Sequence, residues 1–214
     1  RARVLYVMGS GDEIPAALRE LGVSVEVAPP GALDEVDLGS FDTVVLGVRA
    51  YNVRDDLARV QPRLFEWVER GGRLVVQYNT NSWYSKLSTP LAPFPLEVDR
   101  TRVTDERAAV ELLEPQHPLL QEPHAIVAAD FDGWVQERGL YFAADWGDQW
   151  TPLLSMADPD EPLTQGSLLF ARHGRGTVVF TALSFFRQLP AGVPGAARLF
   201  LNIVHARRTA EAEG

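Results

Sequence analysis

Three stretches of this chain place polar and aromatic side chains close enough together to do chemistry. The first, "ADFDGWVQERG" (129–139), holds Asp130, Asp132, Trp134, Glu137 and Arg138. An Asp-x-Asp pair can supply half of a metal site, and two carboxylates in different environments can divide acid and base roles. No second ligand group follows at a recognisable spacing, and no EF-hand pattern is present. A turn folding back over a sheet edge accounts for the same residues. The second, "QYNTNSWY" (77–84), offers Gln77, Tyr78, Asn79, Asn81, Trp83 and Tyr84. Amides beside flat rings suit a sugar-type ligand, whose hydroxyls need paired hydrogen bonds and whose CH faces stack on rings. The same amides also serve as caps for loop backbone. The third, "GVRAYN" (47–52), contains Arg49, Tyr51 and Asn52. The Arg49 guanidinium can fork onto a carboxylate or phosphate, or pair with Asp12, Asp55 or Asp105. Arg187, next to Phe185 and Phe186, can point toward the same place.

Composition removes several other chemistries. The 214 residues contain no cysteine, so disulfides, thiolate metal sites and cysteine nucleophiles are excluded. The four histidines, His117, His124, His173 and His205, are scattered without metal-ligand spacing. Gly9-Ser10-Gly11 lacks the further glycine and the lysine of nucleotide-binding motifs, so neither a metal nor a cofactor is expected. A formal net charge of −9 repels phosphate backbones and argues against a nucleic-acid partner. No apolar run reaches the roughly 18 residues of a membrane helix, and no secretory signal is apparent. The opening residue is Arg1, which suggests a piece of a longer product.

The elements that must position these residues follow from periodicity. Apolar runs at Val4–Met8, Val23–Ala28, Phe41–Gly47 and Leu74–Gln77 predict strands. Ile14, Ala17, Leu18 and Leu21 predict a helix between the first two, ended by Gly22. Leu57, Val60, Leu64, Phe65 and Val68 predict another, with Asp55 and Asp56 at its start and Gly71-Gly72 at its end. Continuous rather than alternating apolar strands argue for a parallel sheet covered on both faces. The loops after Val4–Met8, Phe41–Gly47 and Leu74–Gln77 then share the carboxyl edge, where ligands of such sheets bind. Residues 84–165 are rich in proline and read as an irregular, β-rich insertion in a single domain spanning 1–214. Ser167–Ala171 and Thr177–Ala182 predict a hairpin, and Ala196, Leu199, Phe200, Ile203 and Val204 a closing amphipathic helix.

This order of elements, the "GGRLVVQYN" corner and the ending "GRGTVVFTALSFF…RLFLNIV" resemble the class I glutamine amidotransferase-like fold, which is flavodoxin-like. Within it the chain is most similar to ThuA-like domains. The likeness covers residues 3–82 and 166–206. A second resemblance, carried by "HPLL…ADFDGWVQERGLYF…TPLLSM" and "GSLLFARHGRGTVVFTALSFFRQLPAGVPGAARLF" over residues 94–205, is to a domain appended after PIG-L/LmbE-type zinc deacetylases. The Ala-His-Pro-Asp-Asp zinc motif of those enzymes has no counterpart here, since His117-Pro118 is followed by Leu119-Leu120.

The amidotransferases carry a cysteine at the corner and a histidine after the last strand. In this sequence Tyr78 falls on the first position, to within one residue. Ser184, Phe185 and Phe186 fill the second. A phenol with a pKa of about 10 and no histidine beside it cannot replace that pair. The resemblance therefore implies a catalytically silent domain that binds a sugar-type ligand or docks to an N-terminal deacetylase domain. The alternatives are a ThuA-like sugar enzyme working through Asp130, Asp132 or Glu137, and a structural module for oligomerisation.

Overall fold

The structure is a computed structural model and describes residues 2–206. Its centre is a seven-stranded sheet in the order β2-β1-β3-β4-β11-β10-β8. Strands β1 (Arg3–Val7), β2 (Ser24–Ala28), β3 (Thr43–Leu46) and β4 (Arg73–Val76) are the four predicted from the first apolar runs. They pair in parallel with one another and, through β4, with β11 (Gly176–Thr181). Successive residues of a strand face opposite sides, and Thr43, Val44, Val45 and Leu46 are all fully buried. Both faces of the sheet are therefore covered, as an α/β fold requires.

Helices α1 (Ile14–Glu20) and α3 (Asp55–Glu69) connect the strands as their periodicity predicts. Between them α2 (Ala50–Val53) is a single turn within a stretch read as loop. The chain closes with α5 (Phe185–Gln188) and α6 (Pro194–Val204). Gly195 lets α6 approach the 3₁₀ turn at Ala128–Phe131. A Cβ there would lie 1.8 Å from the Asp130 carbonyl oxygen, so no other residue fits.

Residues 84–165 supply β5 (Leu96–Val98), β6 (Glu111–Leu112), α4 (Pro118–Gln121), β7 (Ala143–Trp146), β8 (Trp150–Pro152) and β9 (Leu154–Ser155). β5 with β7 and β6 with β9 form two small antiparallel pairs. β8 instead joins the main sheet as its edge, antiparallel to β10 (Leu168–His173). An edge is where a strand ending in Pro152 is tolerated, because the missing N–H is not needed there. β10 extends two residues beyond the predicted strand. His173 thus ends a strand rather than sitting in the turn, which is made by Gly174 and Arg175.

The amino edge of the sheet holds the end of α6. The buried Thr43 hydroxyl donates to the Val204 carbonyl at 2.8 Å. Arg73 Nη1 donates to the carbonyls of Asn202, Ile203 and His205, and its Nε to Thr177 Oγ1. A cation at a helix C-terminus satisfies its orphan carbonyls and the negative end of its dipole.

Candidate functional site

The three predicted loops do meet at the carboxyl edge. Gly9 makes this possible, since a Cβ there would stand 2.1 Å from the Val48 carbonyl oxygen. Ser10 N–H donates to that same carbonyl at 2.9 Å, and Arg49 N–H donates to the Tyr78 carbonyl at 2.8 Å. Beneath them runs a buried polar chain. Gln77 Nε2 donates to the Tyr6 hydroxyl and to the Leu46 carbonyl, and the Tyr6 hydroxyl donates to Asp12 Oδ2 at 2.6 Å. Burial and the adjacent Asp12 carboxylate push the Tyr6 phenol well above its ordinary pKa.

Several residues read as ligand contacts spend their polar atoms on this scaffold. Asn79 accepts from Tyr51 N–H and donates to the Gln77 carbonyl. Asn52 clasps Thr80, accepting from its N–H and donating to its carbonyl. The Tyr51 hydroxyl accepts from Gln61 Nε2, and burial pushes its pKa up to about 12. Asp130 ties Val127 N–H to Arg198, and Trp134 Nε1 donates to the Asp130 carbonyl. Buried Arg138 donates to the carbonyls of Ala108 and Phe131, and burial lowers its pKa. Asp132 is exposed. Trp83 sits 78% exposed at the tip of a short hairpin closed by Ser82 and Ser85. Its ring lies 3.9 Å from that of Tyr84.

A partly exposed cluster surrounds Tyr78. Its half-buried ring meets Tyr141 edge-on at 5.7 Å and stacks on Phe186 at 5.9 Å. Burial, then Tyr141, raises the phenol's pKa, while Arg49 and Arg187 oppose the rise. Glu137, 5% exposed, accepts from Ser184 Oγ at 3.0 Å and from Arg187 Nε at 2.5 Å. The Arg187 guanidinium lies 4.8 Å from the Phe186 ring centre. Arg49 makes no ion pair among the described residues, since Asp12 is taken up by Tyr6, Ile14 and Val48. Its Nε is buried without a partner. Arg49 and Tyr141 both adopt left-handed backbone, at φ 59° and 55°. Such conformations cost about 1–3 kcal/mol and gather at functional sites.

Thus the structure brings together Arg49, Tyr78, Glu137 and Arg187 of the residues singled out from sequence. It adds Tyr141, Ser184 and Phe186, of which Ser184 and Phe186 stand at the partner position named from the motif. Tyr141 had no local signal. In the cluster two hydroxyl groups are fixed by their surroundings. Its corner phenol is held above its ordinary pKa, and the hydroxyl of Ser184 is donated to a carboxylate. The histidines lie elsewhere: His117 and His205 at the amino edge, His124 beside Asn202, and His173 3.3 Å from Glu69.

No family model and no curated protein matches the sequence. Solved structures do match. The cytoplasmic protein STM3548 from Salmonella typhimurium superposes with a TM-score of 0.59 at 17% identity, over 94% of this chain and 97% of that one. A protein described as ThuA-like, from Parabacteroides merdae, superposes at 0.51 and 10% identity, over 92% and 88%. A cold-adapted β-galactosidase from Rahnella sp. R3 gives 0.56 at 16% identity, over 95% of this chain and 31% of that one. At these identities the likeness concerns architecture: the chain has the mainly parallel α/β fold of ThuA-like domains.

Proposed function

We propose that this chain is a catalytically silent domain of the amidotransferase-like fold that binds a small sugar-type ligand at its carboxyl edge. In a longer protein it serves as an accessory module beside a PIG-L/LmbE-type deacetylase domain. The observation that carries the ligand part is the Tyr78 cluster. It keeps the place of the amidotransferase site but replaces nucleophile and base with a phenol and a hydroxyl. Around them stand two guanidiniums, one buried carboxylate and two further rings. Such a set recognises hydroxyls and CH faces. The accessory part is supported by the resemblance over residues 94–205. It is also supported by the occurrence of the same architecture as about a third of the Rahnella β-galactosidase chain.

Calorimetry with methyl glycosides and amino sugars, with and without the deacetylase domain, tests both parts. The expected result is saturable binding of one sugar class, weakened by Arg187→Ala. Absence of binding to every sugar and to that domain overturns the proposal. A second reading, a sugar enzyme using carboxylates, narrows to Glu137, because Asp130 is engaged with Arg198 and Asp132 faces solvent. On that reading Glu137→Gln abolishes turnover in a screen of ketosugars and glycosides, and Asp132→Asn leaves it unchanged.

A further inference from the structure

At the amino edge of the sheet, across the molecule from Tyr78, lies a cavity of about 760 Å³. That volume is within the range that encloses a small ligand. Arg73, Thr151, Phe170, Arg172, Arg175 and Thr177 line it, together with His117. Its lining includes three arginines and one carboxylate residue, Glu122, in a chain whose formal net charge is −9. Positive charge is thus concentrated where the rest of the molecule is acidic, which focuses an attractive field on anions.

Arg73 is the unusual member. Burial alone lowers its pKa to about 10, and no carboxylate among the described residues pairs with it. Its Nε and Nη1 hold Thr177 and the end of α6, and no hydrogen bond among the described residues uses Nη2. Arg172 and Arg175 are exposed and make no ion pair among the described residues. His117 Nδ1 accepts from Leu119 N–H at 3.1 Å, so the neutral ring carries its proton on Nε2 and is a donor.

We infer that this cavity binds a phosphorylated small molecule, its phosphoryl group held by Arg73, Arg172 and Arg175 and its uncharged body against Phe170 and Thr151. Guanidinium forks match phosphoryl oxygens in geometry as well as charge. A bound dianion also supplies the counter-charge that Arg73 lacks. The site is independent of the Tyr78 cluster.

Calorimetry on the whole chain at low ionic strength, with glucose 6-phosphate, glucose and inorganic phosphate as probes, tests it. Glucose 6-phosphate is expected to bind more tightly than phosphate, and glucose not at all. The double variant Arg172→Ala/Arg175→Ala, both positions on the surface, is expected to weaken binding by at least about tenfold with the melting temperature unchanged. His117→Asn keeps an acceptor for Leu119 N–H and is expected to weaken binding by a smaller factor. Arg187→Ala, at the opposite edge, is expected to leave it as it was. Failure of glucose 6-phosphate to bind overturns the inference, as does unchanged binding to the double variant. Equal affinity for free phosphate reduces the cavity to an unspecific ion site and overturns it as well.

Discussion

The two edges of the sheet handle buried positive charge differently. At the carboxyl edge Arg54 and Arg187 each sit on a carboxylate, and Arg49 alone of the three makes no ion pair among the described residues. Arg54 Nη2 lies 2.7 Å from Asp56 Oδ2, both nearly inaccessible, while the same guanidinium also donates to the carbonyls of Met8, Ala28 and Pro29. Arg187 lies 2.5 Å from Glu137. At the amino edge Arg73 meets only carbonyls and a hydroxyl. The first arrangement closes its electrostatics internally, each paired guanidinium being neutralised by a carboxylate of the same edge. The second leaves a charge balanced only by the end of a helix dipole, and so leaves the cavity receptive to an anion.

That contrast fixes an order of effects. Asp56→Ala strands the Arg54 guanidinium in the interior and is expected to cost about 3–5 kcal/mol in denaturant unfolding. The pairing also sets a pH dependence. Hydrogen bonding to Arg54 holds the Asp56 carboxyl below its ordinary range. Its stabilisation is therefore complete above the ordinary carboxylate pKa and is lost as pH falls through the lowered folded value. Asp56→Asn is expected to flatten this acid limb of a stability-versus-pH curve. Glu137→Ala leaves the Ser184 hydroxyl unsatisfied, but Arg187, 36% exposed, can turn to water. A loss of about 1–3 kcal/mol is expected. Arg73→Met removes a desolvated charge together with its hydrogen bonds, and these partly cancel. About 1 kcal/mol is expected. A cost matching that of Asp56→Ala would break the comparison, because the fold would then depend on Arg73 no less than on the Arg54 pair. Tyr78→Phe sharpens it at the small end. Stability is expected to stay within about 0.5 kcal/mol. In a spectrophotometric titration the variant is expected to lose a tyrosinate step that the parent shows above the ordinary tyrosine range.

Sequence revealed the parallel half of the fold because its strands are continuous apolar runs and its loops are marked by glycine. It revealed the corner of the site for the same reason, since Tyr78 directly follows such a strand. What it concealed depends on long-range partners. Nothing local shows that Glu137 meets Ser184 and Arg187, about 50 residues on. Gln77 and Asn79 look like ligand contacts because an amide serves a sugar hydroxyl and a buried carbonyl equally well. β8 was hidden by its length and by Pro152, although it closes the main sheet. Arg73 reads as an ordinary strand-opening arginine until α6 is placed against it.

The position of β11 between β4 and β10 has a consequence for synthesis. The first four strands are complete when Val76 leaves the ribosome, yet the strand that covers the second side of β4 ends only at Thr181. Throughout that interval the nascent protein carries an unpaired apolar edge, Leu74-Val75-Val76, of the kind that recruits other chains. A product stopped anywhere before β11 is a sheet with an open seam. Holdase chaperones should therefore matter to the yield of this fold.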